Sequence, residues 1–411
     1  MALDEHTPEY TSIELFTGGG GLALGTHRAG FHHLAVVELE RNSCNTLVLN
    51  STRRVDGIHW HVAQVDVADF DYGRYPIGID LLAGGAPCQP FSLGGKHAGE
   101  ADRRNLFPYV FDAVRRLRPK AVLLENVKGL TRQSFAPYFN YILLQLRFPR
   151  VTLLPDETWE SHKERLLVAA GADHHADADC YDVQMRVVDV ADYGIPQRRH
   201  RVFIVGFRKD LDIQWEFPEP THSQDSLLYA QYVDGSYWDQ HDLVQRPAPP
   251  HLEKRVAQLA TIPRPSENRW LTVRDAINDL PVPVDRQPHA DYDNHIGIPD
   301  ARVYPGHTGS PWDWPAKTIK AGAHGNPGGE NMLVDDDGSV RYFTVRELAR
   351  LQTFPDSWHF AGSWGESRRQ LGNAVPVRMA EILGHSIARR LSTIKESQSH
   401  SPNLNLVAAP D

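Results

Sequence analysis

Between residues 12 and about 125, short apolar runs alternate with amphipathic stretches. Ile13–Phe16, Leu34–Val37, Asp80–Ala83 and Ala121–Leu124 read as buried strands, and Leu106–Leu117 carries apolar residues at helical spacing. Strands alternating with helices must form βαβ units, because parallel neighbours need a crossover between them. The expected fold is therefore α/β, a Rossmann-like, mainly parallel sheet with helices on both faces. Arg201–Val205 adds a further strand.

After Phe207 the texture changes. Residues 211–340 are rich in Pro, Gly, Asp and Trp and hold ten Lys and Arg against twenty Asp and Glu. Weak periodicity there predicts a separate, irregular domain. Residues 1–210 would form the first domain, with a local insertion at about 150–180. Residues 341–395 would return to it, opening with a capping box at Thr344-Val-Arg-Glu347 and ending in a helix over Arg378–Leu391. Residues 396–411 read as a flexible polar tail.

Composition excludes several classes. No apolar run approaches the roughly 20 residues that span a bilayer, and Met1–Tyr10 lacks the apolar segment of a signal peptide. The three cysteines (Cys44, Cys88, Cys180) are far apart and form no CxxC pair. That argues against a disulfide framework or a metal site and for a reducing cytoplasm. The net charge of −9 runs against a nucleic-acid partner, which usually meets a basic surface. A local basic groove would suffice, since salt screens charges beyond about 10 Å.

The first strand runs into Thr17-Gly-Gly-Gly-Gly21, and Glu38 follows at the end of the next strand. Such a turn lets a ligand approach the backbone, and a carboxylate at Glu38 can accept both hydroxyls of a ribose. This pattern fits a nicotinamide dehydrogenase, an adenosylmethionine enzyme or a tight turn without ligand. A second feature is sharper. Asp80-Leu-Leu-Ala-Gly-Gly-Ala-Pro-Cys-Gln-Pro-Phe-Ser92 places Cys88 just past a buried strand between Pro87 and Pro90. Turn formers rather than core residues flank it, which suits a presented nucleophile better than an inert buried thiol. Glu125, in Leu124-Glu-Asn-Val127, closes another strand and would stand beside Cys88 if the two strands are neighbours. Gln197-Arg-Arg-His-Arg201 opens a third.

Together these features resemble the cytosine-5 DNA methyltransferase family, in the family's order and over most of the chain outside 211–340. Phe16-x-Gly18-x-Gly20-Gly21 is similar to its cofactor motif, with Glu14 in place of the usual Asp. Gly85-Ala-Pro-Cys-Gln-Pro-Phe-Ser92 resembles its nucleophile motif, Glu125-Asn-Val127 its glutamate motif and Gln197-x-Arg199-x-Arg201 its arginine motif. Arg346-Glu-x-Ala349-Arg-x-Gln352-x-Phe354-Pro-Asp356 and Gln370-x-Gly372-Asn-Ala-Val-Pro376 resemble the segment supporting the recognition domain and the final motif.

The resemblance implies a methyl transfer from S-adenosylmethionine to carbon 5 of a cytosine flipped out of double-stranded DNA. Cys88 would be the nucleophile, Glu125 would hold ring nitrogen 3 and the amine, and Arg199 would hold the carbonyl oxygen. Arg201 would order the Cys88 loop or contact the base. The cofactor would lie among Phe16, Thr17, Gly18, Gly19, Gly21, Glu38, Leu39, Asp66, Val67, Gly85, Pro87, Leu106, Asn373 and Ala374. Ser92–Asp102 reads as a closing loop, with Ser92, Lys96 and Arg103 on the DNA. Residues 211–340 become the target recognition domain, with Lys320, His324 and Asn326 of the glycine-rich Thr318–Gly328 stretch facing the major groove. The expected setting is a cytoplasmic, nucleoid-associated monomer of a restriction-modification system, whose companion endonuclease shares the site without being bound. The competing readings are a tRNA-methylating relative and a catalytically dead binding homologue.

Overall fold

A computed structural model describes residues 10–87, 106–171, 177, 179–303, 308–322 and 331–399, with side chains described up to 394. Its centre is a seven-stranded sheet of order β3-β2-β1-β4-β5-β7-β6. The strands are β1 (Tyr10–Leu15), β2 (Phe31–Glu38), β3 (Val62–Gln64), β4 (Leu81–Gly84), β5 (Ala121–Val127), β6 (Tyr181–Asp189) and β7 (His200–Arg208). β3 to β5 pair in parallel, whereas β7 runs antiparallel between β5 and β6. The four expected strands of the first half all form, and β3 and β6 are additions to the expected set. β6 is the longer. Its alternating sequence Tyr181-Asp-Val-Gln-Met places Tyr181 and Val183 inward, as a half-buried edge strand requires.

Helices cover both faces. α1 (Gly21–Arg28) and α2 (Arg41–Thr52) follow β1 and β2, α3 (Phe107–Leu117) and α4 (Ala136–Arg147) flank β5, and α5 (Trp159–Ala170) occupies the predicted insertion. Phe107, Val110, Phe111 and Val114 of α3 share one core with Leu82, Val122 and Ile142. On the other face Met379, Ala380, Leu383 and Ile387 pack with Leu22, Leu81 and Val205.

Residues beyond Phe207 form α6 (Gln224–Tyr232), α7 (Ser236–Gln240), α8 (Pro250–Leu259), α9 (Val273–Ile277) and five two- or three-residue strands. Past the expected boundary at 211, Trp215 and Phe217 are still buried in the core that holds Met379 and Leu383, and Trp215 Nε1 donates to Ser386 Oγ at 2.9 Å. Aromatic residues drive this, since a buried indole needs both apolar cover and an acceptor. Part of the acidic content of the region is paired with arginine. Asp313 faces Arg274 and Arg246, Asp275 faces Arg269, and Asp225 faces Arg255. Several of these arginines also stack on rings, Arg274 on Trp312 and Arg246 on Trp238.

The chain then returns to the sheet through α10 (Val345–Leu351), α11 (Trp364–Asn373) and α12 (Val377–Ser399). The capping box at α10 forms as predicted, with Thr344 and Glu347 each satisfying the other's backbone N–H. α12 begins one residue before the expected Arg378 and packs closely on α1. A β-carbon at Gly25 would stand 2.4 Å from Ala380 Cβ, so only glycine allows this approach.

Candidate active site

The strand order reverses between β1 and β4, and in such sheets the crevice at the carboxyl ends of the two strands is where ligands bind. The loop after β1 lies on one side of it and Gly85-Ala86-Pro87 on the other.

Phe16 ends β1 with φ of 57°, a left-handed conformation that is strained for a bulky aromatic. Gly18 follows with φ of 57°, and a β-carbon there would meet nothing within 4 Å, so open space adjoins the loop. The loop is held by Glu38, whose Oε2 accepts from Gly18 N at 2.7 Å while Oε1 accepts from the N–H groups of Leu39 and Glu40. Leu39 is 61% exposed beside it, an apolar side chain left uncovered at the mouth of a crevice. Asp66 and Asn373 are exposed and Leu106 half-buried.

Other residues expected at the cofactor turn into protein instead. Thr17 is buried and its hydroxyl faces the carbonyls of Glu14 and Val37. Gly19 packs against Gln370 and Phe360, and a β-carbon at Gly21 would stand 2.1 Å from the Val375 carbonyl. Val67 belongs to the core, and the Ala374 carbonyl accepts from Arg199. At Gly19 and Gly21 close packing inside the fold already requires a residue without a side chain.

Glu14, where the family usually has Asp, is 1% exposed and its Oε2 has no hydrogen-bond partner among the described residues. Burial raises its pKa well above the ordinary glutamate value, the Ala23 amide pulls the other way and Glu38 adds to the rise. The folded state thus keeps a proton that the unfolded chain releases above its ordinary pKa. Stability is then lost as pH rises from that value toward the folded pKa, by up to about 1.4 kcal/mol per pH unit. Glu14→Gln is expected to flatten this loss, giving a higher Tm than the parent at pH 7–8 and no gain near pH 4. Equal Tm differences at both pH values would refute a protonated Glu14.

Glu125 stands at the end of β5, 8% exposed, with Arg201 Nε 2.8 Å from its Oε1. Register explains the pairing: Arg201 lies opposite Val127 in the β5–β7 ladder. Burial lowers the Arg201 pKa while Glu125 supports its charge. β4 and β5 are adjacent, so the Cys88 loop departs beside Glu125. A β-carbon at Gly85 would stand 3.3 Å from Glu125 Oε2, and Asn126 Nδ2 donates to the Ala86 carbonyl at 3.0 Å. Asn126 was not singled out as a site residue, yet it ties the nucleophile loop to the glutamate strand. Its place between Glu125 and Val127 was the available signal.

Arg199 takes a different role from the one expected. It is fully buried and donates to the carbonyls of Ile319 at 3.2 Å, Gly372 at 2.8 Å and Ala374 at 2.9 Å. Its guanidinium is spent on joining three segments, and burial lowers its pKa. Arg201 is the arginine at the glutamate. Gln197 works alongside Arg199, accepting from Ile319 N at 3.1 Å and donating to the Leu351 carbonyl at 3.3 Å.

The expected DNA-reading stretch begins differently too. Thr318 donates to the Arg198 carbonyl, and a β-carbon at Gly372 would stand 2.2 Å from Ala321 N. Thr318–Ala321 is therefore a joint with the catalytic domain, from which the Lys320 side chain is exposed. Cys88, Ser92, Lys96, Arg103, His324, Asn326, the predicted closing loop and the tail beyond 399 lie outside the described residues. Cys44 and Cys180 are buried free thiols, and burial pushes both up to about 12. Neither is a thiolate at neutral pH.

Residues 10–148 and 161–389 match the family model described as C-5 cytosine-specific DNA methylase. The chain belongs to this family. The cytosine-5 methylase is thereby an enzyme of DNA methylation, and several curated relatives align over nearly its whole length. The type II methyltransferase M.NgoMIV of Neisseria gonorrhoeae is 31% identical, covering 93% of this chain and 98% of that protein. M.PspPI of Psychrobacter is 28% identical, covering 94% and 81%. Among solved structures, a Spodoptera frugiperda DNMT2 variant superposes with a TM-score of 0.55 at 15% identity, covering 92% of this chain and all of that one, which speaks to the fold. No described helix of the methylase is long and apolar enough to cross a membrane.

Proposed function

We propose that this methylase transfers a methyl group from S-adenosylmethionine to carbon 5 of a flipped cytosine within one short duplex site, as the modification partner of a type II restriction system. The observation that carries the reading is the buried Glu125–Arg201 pair at 2.8 Å, at the carboxyl end of β5, with Gly85-Ala86-Pro87 leaving the neighbouring strand β4. Relatives named as type II methyltransferases over nearly the full length support the biological setting. The open space at Gly18, the Glu38 carboxylate and exposed Leu39 fit a nucleoside with a ribose and an apolar base face. When bound, S-adenosylmethionine supplies an electrophilic sulfonium methyl.

The chain's own residues prepare the base. Cytosine carbon 5 is a poor nucleophile while the ring is aromatic. Addition of the Cys88 thiolate to carbon 6 breaks that aromaticity and makes carbon 5 enamine-like. The Glu125 carboxyl donates to ring nitrogen 3 and its other oxygen accepts from the exocyclic amine, relieving the negative charge that develops as carbon 6 is attacked. Arg201 fixes the Glu125 carboxyl group with Nε, donates from Nη1 to the His200 carbonyl at 2.8 Å, and offers its other N–H groups to the base carbonyl oxygen, the role first expected of Arg199. After transfer, loss of the carbon 5 proton and expulsion of the Cys88 thiolate restore the ring. A site shaped by these three groups excludes thymine, whose ring nitrogen 3 carries a hydrogen where that of cytosine accepts, and whose carbonyl at carbon 4 faces the Glu125 oxygen that accepts from the amine of cytosine.

Arg201→Ala is expected to lower kcat on the order of a hundred- to a thousandfold, as for loss of one preorganised donor, with S-adenosylmethionine affinity unchanged by calorimetry. Full activity in that variant would remove Arg201 from the mechanism.

The test of function is expression in methylation-free bacteria followed by reading the genome for 5-methylcytosine. Methylation confined to one short motif supports the proposal. Unmodified DNA from a strain making folded, S-adenosylmethionine-binding protein overturns it, and transfer RNA is then the substrate to assay.

A further inference from the structure

The catalytic rim contains a basic feature that the mechanism does not use. From Asn126 to Pro155 the chain holds Lys128, Arg132, Arg147 and Arg150 and not one Asp or Glu, in a protein with 52 acidic residues and a net charge of −9. Arg150 pairs with Asp179, and Arg147 donates to the Val183 carbonyl on the β6 side. Lys128 and Arg132 differ. They bracket the short helical turn Lys128–Thr131 that follows β5 directly, and neither has an ion-pair partner among the described residues. Lys128 is exposed and Arg132 half-buried.

Their position is set by the active site. The turn starts three residues after Glu125, roughly 10 Å of strand, and packs against β7, the strand that delivers Arg201. The Thr131 hydroxyl closes the turn on the Lys128 carbonyl at 2.9 Å. Other cations of this region are engaged: Arg201 by Glu125, and Arg198 by Asp189 with its guanidinium 4.6 Å from the Trp270 ring centre. Acidic chains pair their arginines wherever a carboxylate is in reach. A carboxylate-free segment that leaves two cations unpaired at the mouth of a site is suited to an external anion.

We infer that Lys128 and Arg132 bind backbone phosphates of the strand carrying the target cytosine, holding it while the base is in the site. The inference rests on the proposed function and adds a substrate contact to it. A flipped nucleotide has its backbone displaced toward the catalytic cleft, so cations on the β5 rim meet phosphate without reading sequence. This also explains how a protein of net negative charge engages DNA: the cations needed are kept free locally by exclusion of acid from thirty residues of sequence.

The experiment compares the parent with Lys128→Ala/Arg132→Ala and with Lys128→Arg, using a duplex that carries the motif methylated in cells. Duplex affinity is measured by fluorescence anisotropy over a range of salt concentrations, alongside kcat and KM for DNA and calorimetric S-adenosylmethionine binding. In the double variant the slope of log affinity against log salt is expected to fall by about 1.8, from two lost phosphate contacts. KM for the specific duplex rises, and affinity falls by the same factor for specific and unrelated duplexes. kcat at saturating DNA, S-adenosylmethionine affinity and Tm stay at parent values, and Lys128→Arg keeps the parent slope. An unchanged slope in a folded double variant overturns the inference, as does a fall in kcat without a change in slope. If the parent itself neither binds nor methylates duplex DNA, the proposed function fails and this contact with it.

Discussion

Cys88→Ala is expected to abolish 5-methylcytosine formation, by on the order of 10⁵- to 10⁶-fold as for other deleted nucleophiles, while folding and S-adenosylmethionine affinity persist. Carbon 5 has no path to a nucleophilic state without addition at carbon 6, so no neighbouring group compensates. The other two cysteines cannot substitute, because both thiols are buried and burial pushes them up to about 12. The loop's anchorage does not depend on the sulfur: Asn126 holds the Ala86 carbonyl whatever follows Pro87. Methyl transfer to duplex DNA and calorimetric cofactor binding are to be measured on the same preparation. Residual transfer above about one per cent of the parent rate would remove Cys88 as nucleophile. Loss of cofactor affinity together with activity would make its role structural.

Arg199→Ala should act on stability rather than chemistry. Its guanidinium donates to three buried carbonyls contributed by the Thr318–Ala321 joint and by the end of α11 and the residue after it. Truncation leaves those carbonyls without their donor and opens a cavity. Each effect costs about 1–3 kcal/mol, so a total of about 3–5 kcal/mol and a fall in Tm on the order of 10 °C are expected. The fraction that remains folded should retain kcat near the parent value, since Arg199 has no contact with Glu125. A variant with parent Tm and a kcat lowered a thousandfold would instead place Arg199 at the base. The contrast with Arg201→Ala, in which kcat falls in the folded protein, separates two arginines only two residues apart.

Much of the catalytic half was legible because its signals are local. Apolar runs at Ile13–Phe16, Leu34–Val37 and Ala121–Leu124 carry their own burial, and the Thr344–Glu347 box carries its own cap. Asn126, Gln197 and Arg199 were harder, because their partners (Ala86, Ile319, Leu351 and Gly372) lie 40 to 173 residues away in sequence. Glycine motifs were ambiguous for a related reason. Gly18 faces open space while Gly21 faces the Val375 carbonyl, and a sequence gives the same letter for both needs. In the same way the acidic composition of 211–340 conceals how many of its carboxylates are spent on arginines.

The sequence by itself determined the order of strands and helices, the turn after β1, and the placing of Glu125 and the Pro87-Cys88 turn at strand ends, because each follows from short-range periodicity and turn chemistry. Only the tertiary structure decided which arginine meets the glutamate. Gln197-Arg-Arg-His-Arg201 presents Arg199 and Arg201 with the same period-two spacing, so both would point to one face. β7, however, runs antiparallel to β5 with Arg201 opposite Val127. Two residues of extended chain, roughly 6.6 Å, therefore carry Arg199 past the end of β5 and under the recognition joint. Register between strands distant in sequence is fixed by the packing of the whole sheet, and no local pattern encodes it.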